Sequence, residues 1–287
     1  MQPPMPSATR TWHNDTYAAI SPSRAELSCD GKTIIITGAG SGIGREAALA
    51  FASAGASRIV LLGRREAALQ ETASLLPQGV WTETHSVDIT QREALQGVAA
   101  SIGKWDVLVL SAGYISKPSS IASSNADDWW QSFETNAKGT FLATQALLPT
   151  ANPSKATILA LVTGTVAFPS ASLPGLSAYM TSKLAEIKFI EFLAAENENI
   201  FAASVHPGFI ETAITAKSGA NTEQLPMDQV QLPAHFLVWM ASSEAAFLDG
   251  RSVWANWDVE ELKQQESSIR GGIQMTSGIS GWPYQHT

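Results

Sequence analysis

From Lys32 onward the chain alternates short β-branched apolar runs with helix-patterned segments: KTIIITG, GIGREAALAFASAG, SRIVLLG, EAALQETASLLP, VWTETHSVDI, REALQGVAASIG and WDVLVLSAG. Such alternation is the signature of βαβ units. Parallel neighbours need a crossover, and the crossover is right-handed and usually helical. The pattern therefore predicts an α/β fold, a doubly wound parallel sheet with helices on both faces. It continues through a long helix over DDWWQSFETNAKGTFLATQALL, the strand TILALVTG, a helix carrying SAYMTSKLAEIKFIEF and the strand IFAASVHPG, toward about seven strands in all.

No repeat, low-complexity block or linker divides the chain, so one domain over residues 31–257 is expected, between an N-terminal arm (1–30) and a C-terminal tail (258–287). In the arm, Trp12, Tyr17 and Ile20 favour packing on the domain, with a targeting role as the alternative. The polar stretch ETAITAKSGANTEQLP, about 211–226, fits a mobile loop over a site or an ordinary surface connection. The tail ends in GGIQMTSGISGWPY, for which loose packing and an interface role are both open.

Apolar residues at 45% and charged residues at 15% describe a chain that folds. A net charge of −8 without any Lys/Arg run repels a phosphate backbone, so small-molecule chemistry is expected and nucleic acid is not. Cys29 is the only cysteine, and His13, His85, His206, His235 and His286 lack ligand-like spacing, which argues against a metal. The N-terminus lacks the apolar core of a signal peptide, and no run of about 18 apolar residues occurs, so no membrane is expected. A soluble, cytoplasmic protein is the resulting expectation.

TGAGSGIG, residues 37–44, follows the apolar strand 33–36 and opens the helix 45–54. Glycines permit a sharp turn and close approach of a phosphate to bare backbone, while N–H groups at the helix start point at the anion. The spacing is TGxxxGxG rather than GxGxxG, because Ile43 or Arg45 falls where a third glycine would stand. A ligand-free tight turn is the alternative reading. About 20 residues further, where a dinucleotide fold reads the ribose 2′ position, stand Gly63, Arg64 and Arg65. An acidic residue would repel a 2′-phosphate, whereas a guanidinium grips it with two donors, so NADP(H) is favoured over NAD(H), with Arg64 the stronger reader. Both arginines merely solvated at a helix start is the alternative. Asp88 in SVDIT suits either the adenine amino group or the N-cap of the next helix.

Tyr179 and Lys183 stand four residues apart, on one helix face about 5–6 Å apart at Cβ. A phenol active near neutral pH needs a shift of roughly three units, about 4 kcal/mol in favour of phenolate. A neighbouring ammonium and an oxidised nicotinamide would supply it. Adjacency alone leaves a structural role open.

Taken together, these residues resemble the short-chain dehydrogenase/reductase family over about residues 31–254. TGAGSGIG matches its cofactor turn and Tyr179-Met-Thr-Ser-Lys183 its YxxxK motif. Asn136 in ETNAKGTF falls at its catalytic asparagine, and Pro207-Gly208-Phe209-Ile210-Glu211-Thr212 looks like its PGxxxT segment. The resemblance implies a Rossmann-like fold and a catalytic set of Asn136, Thr165, Tyr179 and Lys183. It implies a cofactor held by Gly38, Ser41, Ile43, Gly44, Arg64, Asp88, Ile89, Ala112, Gly113, Asn136, Tyr179, Lys183, Ile210 and Thr212, the last on the nicotinamide carboxamide. The stretches TWHNDTYAAISPSRAELSCDGK and SVWANWDVEELKQQ look like a fungal branch of the family associated with secondary metabolism.

Two positions depart from the family. Its NNAG reads Leu110-Ser111-Ala112-Gly113 here, so an amide bracing the sheet centre is absent and Ser111 substitutes at most in part. Its serine reads Val162-Thr163-Gly164-Thr165-Val166; Thr165 is the candidate and Thr163 the fallback. A threonine hydroxyl donates the same bond, while its methyl narrows the pocket. The implied chemistry is hydride transfer from NADPH to a carbonyl carbon, with Thr165 and Tyr179 on its oxygen and Tyr179 giving the proton. Lys183 would lower the phenol pKa, hold the ribose and connect through water to Asn136. The altered positions motivate an alternative, an NADP-binding protein with a cyclase-like or sensing role. Nine tryptophans and the lipophilic stretch 168–176 suggest a bulky or aromatic ketone. Helices with Trp129-Trp130 and Phe189 to Phe192 fit a homodimer or homotetramer, or equally burial within one chain.

Overall fold

In the computed structural model of the protein, which describes residues 1–279, the apolar runs form seven strands. They are β1 Thr33–Thr37, β2 Arg58–Gly63, β3 Trp81–Ser86, β4 Val107–Leu110, β5 Ala156–Leu161, β6 Ile200–His206 and β7 Ser252–Trp254. All are parallel, in the order β3-β2-β1-β4-β5-β6-β7. The doubly wound sheet expected from the alternation is thus what forms.

Period-2 geometry splits each strand between two cores. Ile34, Ile36, Ile59, Leu61, Val107 and Val109 face one, and Ile35, Val60, Leu62, Leu108 and Leu110 face the other. Because both faces are covered, the central strands are apolar throughout. The helices are α1 Gly42–Ser53, α2 Glu66–Leu75, α3 Arg92–Ile102, α4 Ala126–Phe133, α5 Thr140–Leu147, α6 Ser177–Glu196, α7 Ala213–Ser218, α8 Gln231–Met240, α9 Val259–Gln264 and α10 Glu266–Gly271. Helix α8 packs on α1, and α3 packs on α5. The long helix expected over residues 127–148 is α4 and α5 joined by a π-helical turn, Glu134–Gly139, which carries Asn136. Such wide turns are rare and gather at functional sites.

The stretch 211–226 is not structureless: it holds α7, whose first turn is capped by Thr212 Oγ1 accepting from Thr215 N at 3.3 Å. Gly219, at φ +71°, ends that helix. The arm lies along the carboxyl-terminal part of the domain, with Trp12, Ile20 and Leu27 buried in the first core. Trp12 bridges Trp257, and His13 N donates to Asn256 O at 2.9 Å. Arg24 donates to Glu244 at 2.6 Å. Of the expected C-terminal tail, residues 280–287 lie outside the described residues. No helix among the described residues is long and apolar enough to cross a membrane.

Strand β1 has β2 on one side and β4 on the other, so the chain's winding reverses there and the carboxyl ends of β1 and β4 part to leave a crevice. Every candidate site residue lies near that crevice or its extension beyond β5 and β6.

Candidate active site

The glycine-rich turn crosses the mouth of the crevice. Gly38 has φ +68°, open to glycine at little cost, and a Cβ there would stand 2.8 Å from Ala112 N. On Gly44 a Cβ would meet the Gly38 carbonyl oxygen at 2.5 Å. Backbone is packed on backbone, which is what a cradle for a pyrophosphate requires. Ser41 is the N-cap of α1 but makes no side-chain cap bond, so the first N–H groups of α1 remain available to a ligand. Ile43, Ala112 and Gly113 complete this wall of the cleft. The residues present therefore fit a dinucleotide.

The sheet centre is braced here by Thr37, whose role sequence reading passed over. Thr37 Oγ1 accepts from Ser111 N at 3.0 Å and from Ala112 N at 3.1 Å, tying β1 to the end of β4. The bracing passes through the Ser111 backbone rather than its hydroxyl. The signal was present: a hydroxyl residue closing β1 immediately before the first glycine.

Arg64 and Arg65 stand exposed at the end of β2 on the cleft wall, and among the described residues neither guanidinium has a partner. Asp88 also lines the cleft, but it does not cap α3. That N-cap is Gln91, because the chain first makes a tight turn in which Asp88 Oδ1 accepts from Thr90 N at 2.9 Å. Ile89 packs where a Cβ on Gly139 would meet it at 2.7 Å, locking the cleft floor to the π-helical turn.

Beyond β5 the site changes character. Tyr179 lines the cleft from the first turn of α6, and its hydroxyl has no hydrogen-bond partner among the described residues. One turn on, Lys183 Nζ donates to Leu161 O at 2.7 Å and to Glu186 Oε2 at 2.7 Å. Burial pushes the Tyr179 phenol above its ordinary value; Lys183 pulls it down and Glu186 pushes it up again. Lys183 therefore acts on the phenol in the expected direction, but burial, the largest cause, outweighs it, and the Glu186 carboxylate opposes part of its pull.

Asn136 is fully buried, and its side chain is engaged on both sides. Its Oδ1 accepts from Tyr114 N at 2.8 Å, while Nδ2 donates to Tyr114 O at 2.8 Å and Ser182 Oγ at 2.9 Å. Ser182 in turn donates to Tyr179 O at 2.9 Å. The asparagine thus clamps α6 to the loop after β4. A Cβ added to Gly113 would lie 3.6 Å from Asn136 Oδ1 and 3.8 Å from Lys183 Nζ, so the glycine-lined wall of the cleft and the lysine meet there.

Thr165 and its fallback Thr163 are one unit, their hydroxyls 2.7 Å apart. Thr165 Oγ1 also donates weakly to Met180 Sδ at 3.6 Å, and both threonines line the cleft. Gly164 between them cannot carry a side chain, because a Cβ would overlap the Trp254 indole at 2.2 Å. The cleft has a volume of about 730 Å³, in the range of small-molecule sites. Ile115, Leu173, Leu176, Met180, Phe209 and Leu225 give it an apolar outer part. No tryptophan lines it among the described residues, so the tryptophan count says nothing about substrate; within 168–176 only Leu173 and Leu176 reach it.

The PGxxxT segment is held from below. Gly208 has φ +88°, and Asp228 Oδ2 accepts from Phe209 N at 2.8 Å. Burial pushes the Asp228 carboxyl up to about 6. Among the described residues its Oδ1 and the Asn256 Oδ1 are both buried acceptors without a donor, and Asn256 Nδ2 is spent on His13 O of the arm at 2.9 Å. A proton on Asp228 removes one unpaired acceptor. Burial also holds His206 neutral, its value lowered to about 3, in T-shaped contact with Trp254. Ile210 and Thr212 leave this base and line the cleft.

A parallel doubly wound sheet with a glycine cradle at its switch point defines a Rossmann-like, dinucleotide-binding class of protein. The profile of the short chain dehydrogenase family matches residues 32–223, and the chain belongs to that family of oxidoreductases. It is 33% identical to the short chain dehydrogenase citE of Monascus ruber, over 94% of this chain and 97% of that one. With the short chain dehydrogenase andI of Emericella variicolor it shares 32%, over 92% and 93%. Among solved structures, the citronellol catabolism dehydrogenase AtuB of Pseudomonas aeruginosa superposes with TM-score 0.69 at 27% identity, covering 84% of this chain and 97% of that one. The Escherichia coli oxidoreductase yciK shares the fold, with TM-score 0.73 at 23% identity over 81% of this chain and 98% of its own.

Proposed function

We propose that the protein is an NADP(H)-dependent oxidoreductase that reduces a ketone of a small, bulky or aromatic metabolite, or oxidises the corresponding secondary alcohol. One observation carries this reading: the Tyr179 hydroxyl, without a hydrogen-bond partner among the described residues, opens into a cleft whose other end is the glycine cradle. When bound, a nicotinamide cofactor supplies or accepts the hydride.

The chain's own residues do the rest. N–H groups at the start of α1, behind Gly38, Ser41, Ile43 and Gly44, bind the pyrophosphate. Arg64, whose guanidinium has no partner among the described residues, takes the 2′-phosphate at the end of β2 and favours NADP(H) over NAD(H). Asp88 and Ile89 hold the adenine end. Ala112, Gly113, Ile210 and Thr212 frame the nicotinamide end, and Lys183 holds its ribose. Thr165 and Tyr179 donate hydrogen bonds to the substrate oxygen. In reduction Tyr179 passes its proton to that oxygen; in oxidation it takes the proton back. Asn136 keeps α6 and the loop after β4 in register, so that Tyr179 and Lys183 meet the cleft together.

The apolar outer cleft suits a bulky carbonyl compound, and the fungal character of the arm and of the relatives suits a secondary metabolite. Trp130, Phe141, Leu184 and Phe192 are 41–58% exposed on α4, α5 and α6, which supports a homodimer or homotetramer. Burial within one chain accounts for Trp129 and Phe189, not for these. The test is nicotinamide absorbance with NADPH and NADH in parallel against a panel of bulky aromatic and aliphatic ketones. Oxidation of NADPH in preference to NADH is expected; cofactor binding without turnover on any ketone would overturn the redox reading.

A further inference from the structure

Behind the Tyr179 and Lys183 pair stands a carboxylate that the YxxxK pattern does not include. Glu186 lies on α6 three residues past Lys183 and is 0% exposed. Its Oε2 accepts from Lys183 Nζ at 2.7 Å, and its Oε1 accepts from Thr140 Oγ1 of α5 at 3.1 Å. Lys183 itself is only 3% exposed. Taking two such charges out of water costs several kcal/mol per ion, and apolar side chains of the same volume often replace a buried pair at no loss. Stability therefore does not account for this pair, whereas its contact with the lysine beside Tyr179 does suggest a use.

We infer that Glu186 is a positioning residue: it fixes the Lys183 ammonium one helical turn from Tyr179 and offsets part of the pull of that charge on the phenol. Tyr179 then remains a protonated phenol through the neutral range, ready to give a proton to a substrate oxygen. The reverse reaction, which needs the phenolate to accept a proton from an alcohol, is confined to more alkaline pH. The inference rests on the proposed role of Tyr179 as proton donor.

The surrounding groups leave this role to one pair. Helix α6 presents Lys183 and Glu186, and α5 presents the neutral Thr140. The π-helical turn presents Asn136, spent on Tyr114 and Ser182, and β5 with the residues after it presents the Leu161 carbonyl, Thr163 and Thr165. Tyr114, from the loop after β4, turns its phenol away to Asp128 and Lys217. Lys183 and Glu186 are thus the charges that act on Tyr179, in opposite directions.

The experiment is an ultraviolet titration of tyrosinate in the whole, cofactor-free protein, with the curve of Tyr179→Phe subtracted to isolate one phenol. In Glu186→Gln the Tyr179 midpoint is expected to fall by about one unit, a tenfold change in proton affinity. Glu186→Asp, which keeps the charge, is expected to titrate close to the wild type. If Glu186→Gln does not give a cooperative thermal melt, Glu186→Met, of similar volume, replaces it with the same expectation. An unmoved midpoint in a folded Glu186→Gln or Glu186→Met protein overturns the inference. Absence of ketone reduction by the wild type would instead sink the redox reading and leave the titration intact. Where turnover is seen, the alkaline limb of the reduction profile is expected to move down with the Tyr179 midpoint.

Discussion

The two ends of the cleft are made of different material. At the glycine cradle the working groups are backbone: Gly38, Gly44 and the start of α1 pack so closely that an added methyl has no room. At the Tyr179 end they are buried side chains from three parts of the chain, joined in pairs: Lys183 with Glu186, Asn136 with Ser182, Thr163 with Thr165. The cradle depends on bare backbone, and the Tyr179 end depends on its charges and hydroxyls.

The largest effect should come from Lys183→Met, which leaves Glu186 buried without its cation. Breaking such a pair from one side costs about 3 kcal/mol. Denaturant unfolding at neutral pH is expected to show it, with a smaller loss in acid, where burial already favours the protonated Glu186. Retained stability at neutral pH would mean that the pair is solvated. At the other end, Gly44→Ala forces a Cβ to within 2.5 Å of the Gly38 oxygen. A cost of about 1–3 kcal/mol and loss of nicotinamide binding are expected, read by melting and by fluorescence titration. Gly97→Ala, inside α3 with open space around its Cβ, is expected to gain about 0.5–1 kcal/mol, so that an added methyl is harmful at the packed cradle and not on an open helix face.

Asp228 belongs with the side-chain end, under the PGxxxT segment. Its carboxyl is pushed up to about 6, above the ordinary aspartate range, so its contribution favours the folded state below about pH 4 and is lost as pH rises through 6. Asp228→Asn removes that loss and is expected to stabilise by roughly 1–2 kcal/mol above pH 6, with little change near pH 4. Equal melting shifts at both pH values would contradict it. Arg64→Ala touches neither packing nor charge pairs; about tenfold weaker NADPH binding with unchanged NADH binding and unchanged melting is expected. Smallest of all, Thr165→Ser keeps the hydroxyl and removes a methyl, and turnover is expected to stay within a few-fold.

This difference in material also explains what the chain's letters reveal. β-branched runs and the glycine turn are local and periodic, so the sheet, its two covered faces and the cradle could be read directly. Tyr179 and Lys183 were legible because four residues bring them to one helix face. Glu186 was not, since its bond to Lys183 depends on α6 being buried on that side, and Thr140 lies 46 residues away from it. Thr37, Ser182 and Asp228 escaped for the same reason: their partners are brought near only by the sheet. Asp88 shows the reverse error, a local rule for caps overridden by a tight turn three residues before α3.

The central claim is that Tyr179 is the proton donor of this cleft, and the most direct test compares wild type with Tyr179→Phe. NADPH binding is followed by fluorescence, and turnover of a ketone found in the panel by absorbance. The account predicts unchanged NADPH binding with turnover lower by about 10²–10⁴-fold. Turnover that survives the loss of the hydroxyl would contradict it.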